Sequence, residues 1–198
     1  PERGFSFQKD GDLDMRMDTS TGQSAKEWIN FAKESEMVDV FRTYGEERFA
    51  KRIARAIIQQ RLINPITKTL ELSNIVSKAN PKWEKHKHPA TRVFQAIRIF
   101  INQELTELEK TLPQALELLD VGGRLVAISF HSLEDRIVKQ FIQKKSKPNQ
   151  FLPKEIPILF ENQGIQLRKI GKPIYPKLEE IENNSRARSA ILRIAEKI

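Results

Sequence analysis

His131 and Ser132 stand side by side in the run DVGGRLVAISFHSLEDR, Asp120 to Arg136. An imidazole and a hydroxyl at the end of a strand can wall a pocket and hydrogen-bond a reacting amine. A second polar set, Asp14, Arg16 and Asp18, alternates with apolar residues in LDMRMD and, if extended, projects to one side. A third set is cationic. Arg42, Arg48, Lys51, Arg52, Arg55 and Arg61 crowd one stretch, and Lys82, Lys85, Lys87, Arg92 and Arg98 crowd another. Such clusters suit phosphate, and Trp83 among the second can stack on an unpaired base. Plainer readings stand beside each: His131 as a structural polar group, Ser132 as a helix cap, the loop as salt-bridged, the clusters as solvated faces.

The elements that must position these residues are legible in part. Val121-Gly122-Gly123 reads as a tight turn, because glycine reaches positive φ at little cost. Arg124 to Phe130 follows as a near-continuous apolar run, which predicts a strand buried on both faces in a mainly parallel sheet. Ser132 with Asp135 three residues on predicts the capping box of a helix carrying Ile137, Val138, Phe141 and Ile142. In open α/β sheets ligands bind beyond the carboxyl ends of the strands, where His131 and Ser132 fall.

Upstream, residues 1–23 read as a loop. Ser24 with Glu27 opens a first helix, and Ser35 caps a second that ends at Gly45. Glu46 to Arg61 forms a third with Phe49, Ile53 and Ile57 as its apolar stripe, and Thr67 opens a fourth, with Leu70, Leu72, Ile75 and Val76, that closes at Asn80-Pro81. Residues 24–79 thus make a small helical bundle. Pro89 starts a long helix towards Lys110, and Thr111 with Pro113 starts a short one. Gln166 to Ile170 and Arg188 to Ala195 read as the last two strands.

The totals bound the chemistry. There is no cysteine and there are three histidines, which leaves no thiolate chemistry and makes a zinc site unexpected. No apolar run approaches the roughly 20 residues of a membrane-spanning helix, and no membrane partner is expected. The net charge of +8 favours a polyanion, nucleic acid first. Neither a glycine-rich phosphate loop nor a Walker motif is present.

Six blocks taken together resemble one family. They are ERGFSF (2–7), LDMRMD (13–18), TYGEERFAKRIARAI (43–57), KHPATRVFQAIRIFIN (87–102), GGRLVAISFHSLEDRIVK (122–139) and SRARSAILRIAEK (185–197). The chain is identified by them as similar to the MraW/RsmH family of ribosomal RNA small-subunit methyltransferases. The resemblance implies transfer of a methyl group from S-adenosylmethionine to the exocyclic N4 of a cytosine in 16S ribosomal RNA, in the bacterial cytoplasm, with the small ribosomal subunit as partner. It implies an α/β fold: a class I, Rossmann-like methyltransferase domain with an inserted all-helical domain.

On that template, residues 1–23 continue from a catalytic half that is missing, 24–79 are the insertion, and 80–198 are the C-terminal part of the catalytic domain, whose last two strands form the antiparallel pair that ends the sheet. The family's cofactor motifs lie before its ERGFSF block, so cofactor-binding residues are expected upstream of Pro1 and none in this chain. The chain alone is then expected to be inactive, and to self-associate through the unpaired edge of the Arg124 to Phe130 strand. His131 and Ser132 are the candidate pocket wall. Asp14, Arg16, Asp18, Arg48, Arg52, Arg55, Trp83, Lys85, Lys87 and Arg92 are the candidate RNA contacts. The alternative is a non-catalytic basic helical module that binds RNA.

Overall fold

Amphipathic helices dominate the N-terminal half of the computed structural model, which describes residues 3–83, 88–147 and 164–198. Two compact units divide the chain, Pro1–Glu104 and Leu105–Ile198.

The first unit holds α1 (Ala25–Phe31), α2 (Glu34–Thr43), α3 (Ala50–Ile63), α4 (Thr69–Ala79) and α5 (Thr91–Ile101). Their apolar stripes meet in one core around Trp28, Phe41, Ile53, Ile57, Leu72 and Ile97. The helices of 24–79 share that core with α5 and with Leu13 and Met15 of the N-terminal loop. The loop is tied down by its backbone. Ala25 and Lys26 N–H groups donate to the carbonyls of Asp14 (2.7 Å) and Leu13 (2.6 Å), so the loop satisfies donors that the start of α1 leaves open. Leu13 N–H donates to Thr67 O at 2.9 Å, and Lys68 pairs with Asp12. The chain passes itself closely at Gly4, whose φ is +77°; a Cβ there would sit 2.4 Å from the Asp12 carbonyl oxygen.

The expected Ser24–Glu27 capping box is present. Other boundaries differ. The second helix begins at Glu34 with Lys33 as its cap residue and no side-chain cap, so Ser35 lies inside it. The third begins at Ala50, not Glu46, because Glu46 takes a left-handed φ of +50°. The fourth begins at Thr69. The expected long helix from Pro89 is two helices, α5 and α6 (Glu104–Leu118), parted where Gln103 turns left-handed at φ +49°. Pro113 lies inside α6, and the Thr111 hydroxyl donates back to the Glu107 carbonyl at 2.7 Å.

The second unit contains α6 beyond its first residue, β1 (Arg124–Ser129), α7 (Ser132–Lys145), β2 (Leu167–Lys169), α8 (Leu178–Asn183), a 3-10 helix Ser185–Ser189 and β3 (Ile191–Lys197). The sheet has the order β1-β3-β2, and both pairings are antiparallel. The last two strands are therefore the antiparallel pair that was expected, although β3 starts at Ile191 because Arg188 belongs to the 3-10 helix. Leu125 lies opposite Ala195, and both join Leu112 and Leu116 of α6 and Val138 and Ile142 of α7 in the core.

Here the reading of β1 needs correcting. Among the described residues its ladder partner is antiparallel, and only one face is covered. Leu125 and Ser129 point inward, whereas Val126 and Ile128 are 54% and 56% exposed. The α6 and α7 side chains fill the core on the inward side, and period-2 alternation sends the intervening residues out. β1 is also an edge of this three-stranded order.

Candidate functional site

The N-terminal loop brings two of its three predicted polar residues together. Arg16 Nε and Nη2 each donate to an Asp14 carboxylate oxygen at 2.8 Å, a two-point pair. This is not the extended row expected from the alternation. Met15 takes a left-handed φ of +59° and is fully buried, so Asp14 and Arg16 fold back on one another. Asp18 stands apart, accepting from Ser20 N–H and its hydroxyl. Asn102 fixes the strained turn: its Nδ2 donates to Met15 O (2.7 Å) and Arg98 O (2.8 Å), and its Oδ1 accepts Met17 N–H (2.7 Å). A left-handed non-glycine residue persists where its surroundings over-determine it.

The Arg16 guanidinium, hydrogen-bonded to Asp14, holds that carboxyl below the usual range, and the Ser20 hydroxyl does the same for Asp18. A carboxyl with a depressed folded-state pKa binds fewer protons in the native state. Its stabilisation is complete above the unfolded pKa, about 4, and drains as pH falls through the lower folded value. Urea titrations at pH 7 and pH 3 are expected to show a smaller acid loss for Asp14→Asn than for the parent chain. Equal losses would remove the pair from the acid response.

Some of the cations of the helical unit line two depressions, whereas Arg61 donates to Ile29 O at 2.7 Å and Arg98 pairs with Glu104. A groove of about 970 Å³ runs between α3 and α4, lined by Lys51, Arg52, Arg55, Gln59, Asn74 and Lys78 together with the apolar Ala56, Ile63 and Ile75. Glu71 is its one acid, and Arg55 Nε is paired with Glu34 at 3.1 Å. A smaller recess, about 90 Å³, is lined by Glu47, Arg48, Phe49, Asn80, Lys82, His88, Pro89 and Arg92. Trp83 beside it is 63% exposed.

At the end of β1 the helix cap is His131, not Ser132. His131 Nδ1 accepts Glu134 N–H at 3.3 Å, and Glu134 Oε2 accepts the N–H groups of Phe130 (2.8 Å) and His131 (3.2 Å). The box partner is thus Glu134. Asp135 instead pairs at two points with Arg193 of β3, at 2.6 and 2.8 Å. Burial pushes the Glu134 carboxyl up, but hydrogen bonds from His131 and from Phe130 N–H leave it lowered overall. Ser132 is exposed at the first turn of α7. An imidazole acceptor fills the cap position that Ser or Asp usually holds, so the box forms one residue earlier than the Ser132–Asp135 pattern suggests. His131→Ala is expected to cost about 1 kcal/mol through loss of the cap, and His131→Asn to restore most of it. Equal melting of all three proteins would show that the cap contributes nothing.

Residues 1–198, the whole chain, match the MraW methylase family. The chain belongs to that family.

Among its relatives, the chain is 58% identical to the ribosomal RNA small subunit methyltransferase H of Legionella pneumophila (strain Paris), over 100% of this chain and 64% of that protein. It is 58% identical to the protein of the same name from Nitrosococcus oceani, over 99% of this chain and 62% of that protein. Against the Coxiella burnetii (strain RSA 331 / Henzerling II) protein of that name the identity is 59%, over 100% of this chain and 64% of the relative. The chain spans just under two thirds of the length of these relatives.

Within this MraW-family chain, Arg52 and Arg55 share the α3/α4 groove, and Arg48 and Arg92 share the recess. Asp14, Arg16 and Asp18 lie in the loop of the first unit, and His131 and Ser132 in the second unit. Lys85 and Lys87 lie outside the described residues. Three contributors escaped the sequence reading. Lys78 is a lone cation in its own helix and joins the cluster only across the groove. Asn102 reads as an ordinary helix-end residue. Glu134 lost its place to Asp135 because the box was counted from Ser132.

Proposed function

We propose that this chain is the RNA-contacting portion of a methyltransferase that acts on the exocyclic N4 of a cytosine in 16S ribosomal RNA, with S-adenosylmethionine as methyl donor and the small ribosomal subunit as partner. The basic α3/α4 groove, in a chain of the MraW methylase family, is the observation that carries the reading. Its relatives bear the name ribosomal RNA small subunit methyltransferase H. In this reading the fold is a class I methyltransferase domain with residues 24–79 as an inserted helical domain and 80–198 as the C-terminal part of the catalytic domain.

The groove binds the RNA backbone through Lys51, Arg52 and Lys78, with Arg55 already engaged by Glu34. Trp83 stacks on an unpaired base near the recess. The loop of Asp14, Arg16 and Asp18, held by Asn102, presents a preorganised polar surface to the substrate. At the β1 end the described residues do not fit the cofactor. The backbone donors of Phe130, His131 and Glu134 are all taken within the cap, so His131 and Ser132 serve as pocket wall and helix start.

Two measurements test this. Affinity of the chain for a 16S ribosomal RNA fragment is expected to fall steeply with salt, by about 0.7 to 0.9 log units per decade for each phosphate engaged. A flat salt response would remove the groove's role. In a protein of the relatives' full length that carries this chain, label from methyl-labelled S-adenosylmethionine is expected in N4-methylcytidine after digestion of the subunit RNA. Label confined to another nucleoside would overturn the specificity.

Self-association belongs to the same proposal. Among the described residues β1 is an open edge, a ready template for another strand, and Val126 and Ile128 on its outward face and Phe130 just past its end are exposed. Sedimentation velocity is expected to show a concentration-dependent dimer. A monomer at all concentrations would rule it out.

A further inference from the structure

We propose that the α3/α4 groove reads single-stranded RNA at two unlike ends: a cationic end that holds the backbone, and an opposite end that takes one unstacked base and selects a base with an exocyclic amino group over uracil. This rests on the RNA reading above and adds a base-selecting end to it.

The groove is sorted along its length. Helices α3 and α4 are joined by residues 64–68 alone, a link so short that they run as antiparallel neighbours. The start of α3 therefore lies beside the end of α4, which gathers Lys51, Arg52 and Lys78. The end of α3 lies beside the start of α4, which gathers Gln59, Gln60, Ile63, Glu71, Asn74 and Ile75. Among the described lining residues this second end holds no cation. Arg55, between the two ends, is already engaged by Glu34.

The second end has the chemistry of a base rather than of a phosphate. Its acid, Glu71, repels a phosphate and attracts N–H donors. Glu71 Oε2 accepts Thr67 N–H at 3.0 Å, and a carboxylate has lone pairs beyond that one bond. A carboxylate accepts and does not donate, so it suits the amino group of cytosine and offers nothing to the O4 carbonyl of uracil. The Gln59, Gln60 and Asn74 amides each carry a donor and an acceptor, the combination that a base edge requires. Ile63 is exposed and Ile75 lines the same end, an apolar surface against which the face of a base packs. In a duplex the bases are paired and stacked, so the occupant is a single strand. At about 970 Å³ the groove lies at the upper end of the range of small-ligand pockets, roughly 300 to 1,000 Å³, which leaves room for a nucleotide.

The test uses the 198-residue chain and two RNA single strands of about ten nucleotides, one of cytidine alone and one of uridine alone, which carry the same backbone charge. The cytidine strand is expected to bind at least about fivefold more tightly, the low end of what one good base contact discriminates, with the same salt slope as the uridine strand. In Glu71→Gln, whose amide still accepts Thr67 N–H but also donates, the ratio is expected to fall towards one. Gln59 and Asn74 are exposed helix positions, where alanine favours the helix. In Gln59→Ala/Asn74→Ala the affinity for the cytidine strand is expected to fall towards that for the uridine strand at an unchanged salt slope, because no phosphate contact is lost. Equal affinity for the two strands in the parent chain, or a preference that Glu71→Gln leaves intact, overturns the base-selecting end while the groove's RNA role stands. A slope that falls in Gln59→Ala/Asn74→Ala means that this end holds phosphate, which also overturns it. If neither strand binds, the RNA reading fails and the base-selecting end fails with it.

Discussion

Replacing Lys51, Arg52 and Lys78 together by glutamate is expected to lower RNA affinity at least about a hundredfold near 0.1 M salt without unfolding the chain. The three line one groove, and all are exposed. Each phosphate that the protein no longer neutralises takes about 0.7 to 0.9 off the salt slope, which at 0.1 M is roughly five- to eightfold in affinity. Over three phosphates the factors multiply to about a hundredfold or more, before the repulsion of the new acids is counted. The slope itself is expected to fall by about two to three.

The stability side sharpens the test. Lys51 and Arg52 occupy the first turn of α3, where the helix dipole disfavours cations; that turn holds no acid, and the nearby Glu47 carboxylate is bonded to the N–H of the cap residue Phe49. Glutamate there favours the helix, by about 0.3 to 1 kcal/mol per charge at exposed sites. Lys78 lies in the last turn of α4, where the sign is opposite. The unfavourable change offsets about one of the two favourable ones, leaving a small net gain of about 0.3 to 1 kcal/mol, so the melting point is expected to stay within a few degrees. Unchanged RNA affinity in the folded variant would show that the groove does not carry the binding.

Trp28→Ala is expected to be the most damaging single change in the helical unit, costing about 3 to 5 kcal/mol. Trp28 is 2% exposed and packs on Phe100, with centroids 4.9 Å apart, and edge-on against Phe41 at 6.1 Å. Its indole N–H donates to Glu36 at 2.6 Å. Truncation opens a cavity where α1, α2 and α5 meet and leaves Glu36 without that donor. Against a typical total of about 5 to 15 kcal/mol, the loss is large. Trp28→Phe keeps most of the packing and is expected to cost roughly 1 to 3 kcal/mol. Amide exchange reads the outcome by region: protection across α1, α2 and α5 is expected to collapse in Trp28→Ala. Protection within a factor of a few of the parent would mean that the site refills by repacking.

The separate fates of these residues show how far the amino-acid order reaches. The apolar stripes Phe49, Ile53, Ile57 and Leu72, Val76 predicted α3 and α4, because a 3.6-residue period states which face must be covered. Ser24 and Glu27 predicted the start of α1, because a capping box is local. The antiparallel ending of the sheet, by contrast, came only from the family template, and the structure bears it out. The six family blocks, running in order along the chain, pointed to the family that the full-length match establishes.

What the order of residues could not state was which surfaces meet. Lys78 joins Lys51 and Arg52 only because α3 and α4 pack side by side, a relation between segments some twenty-five residues apart. Arg48, Lys82 and Arg92 converge for the same reason. The apolar run of β1 says that it can be buried, but not that the helices would cover one face and leave Val126 and Ile128 out. The break at Gln103 and the turn at Met15 depend on Asn102, which makes one hydrogen bond to Arg98 O and two to a loop some eighty-five residues earlier. Local periodicity and capping therefore determined the elements and, with the family blocks, the kinship. The groove, the recess and the strained loop join residues distant in sequence, and their energies exist only once the chain has packed.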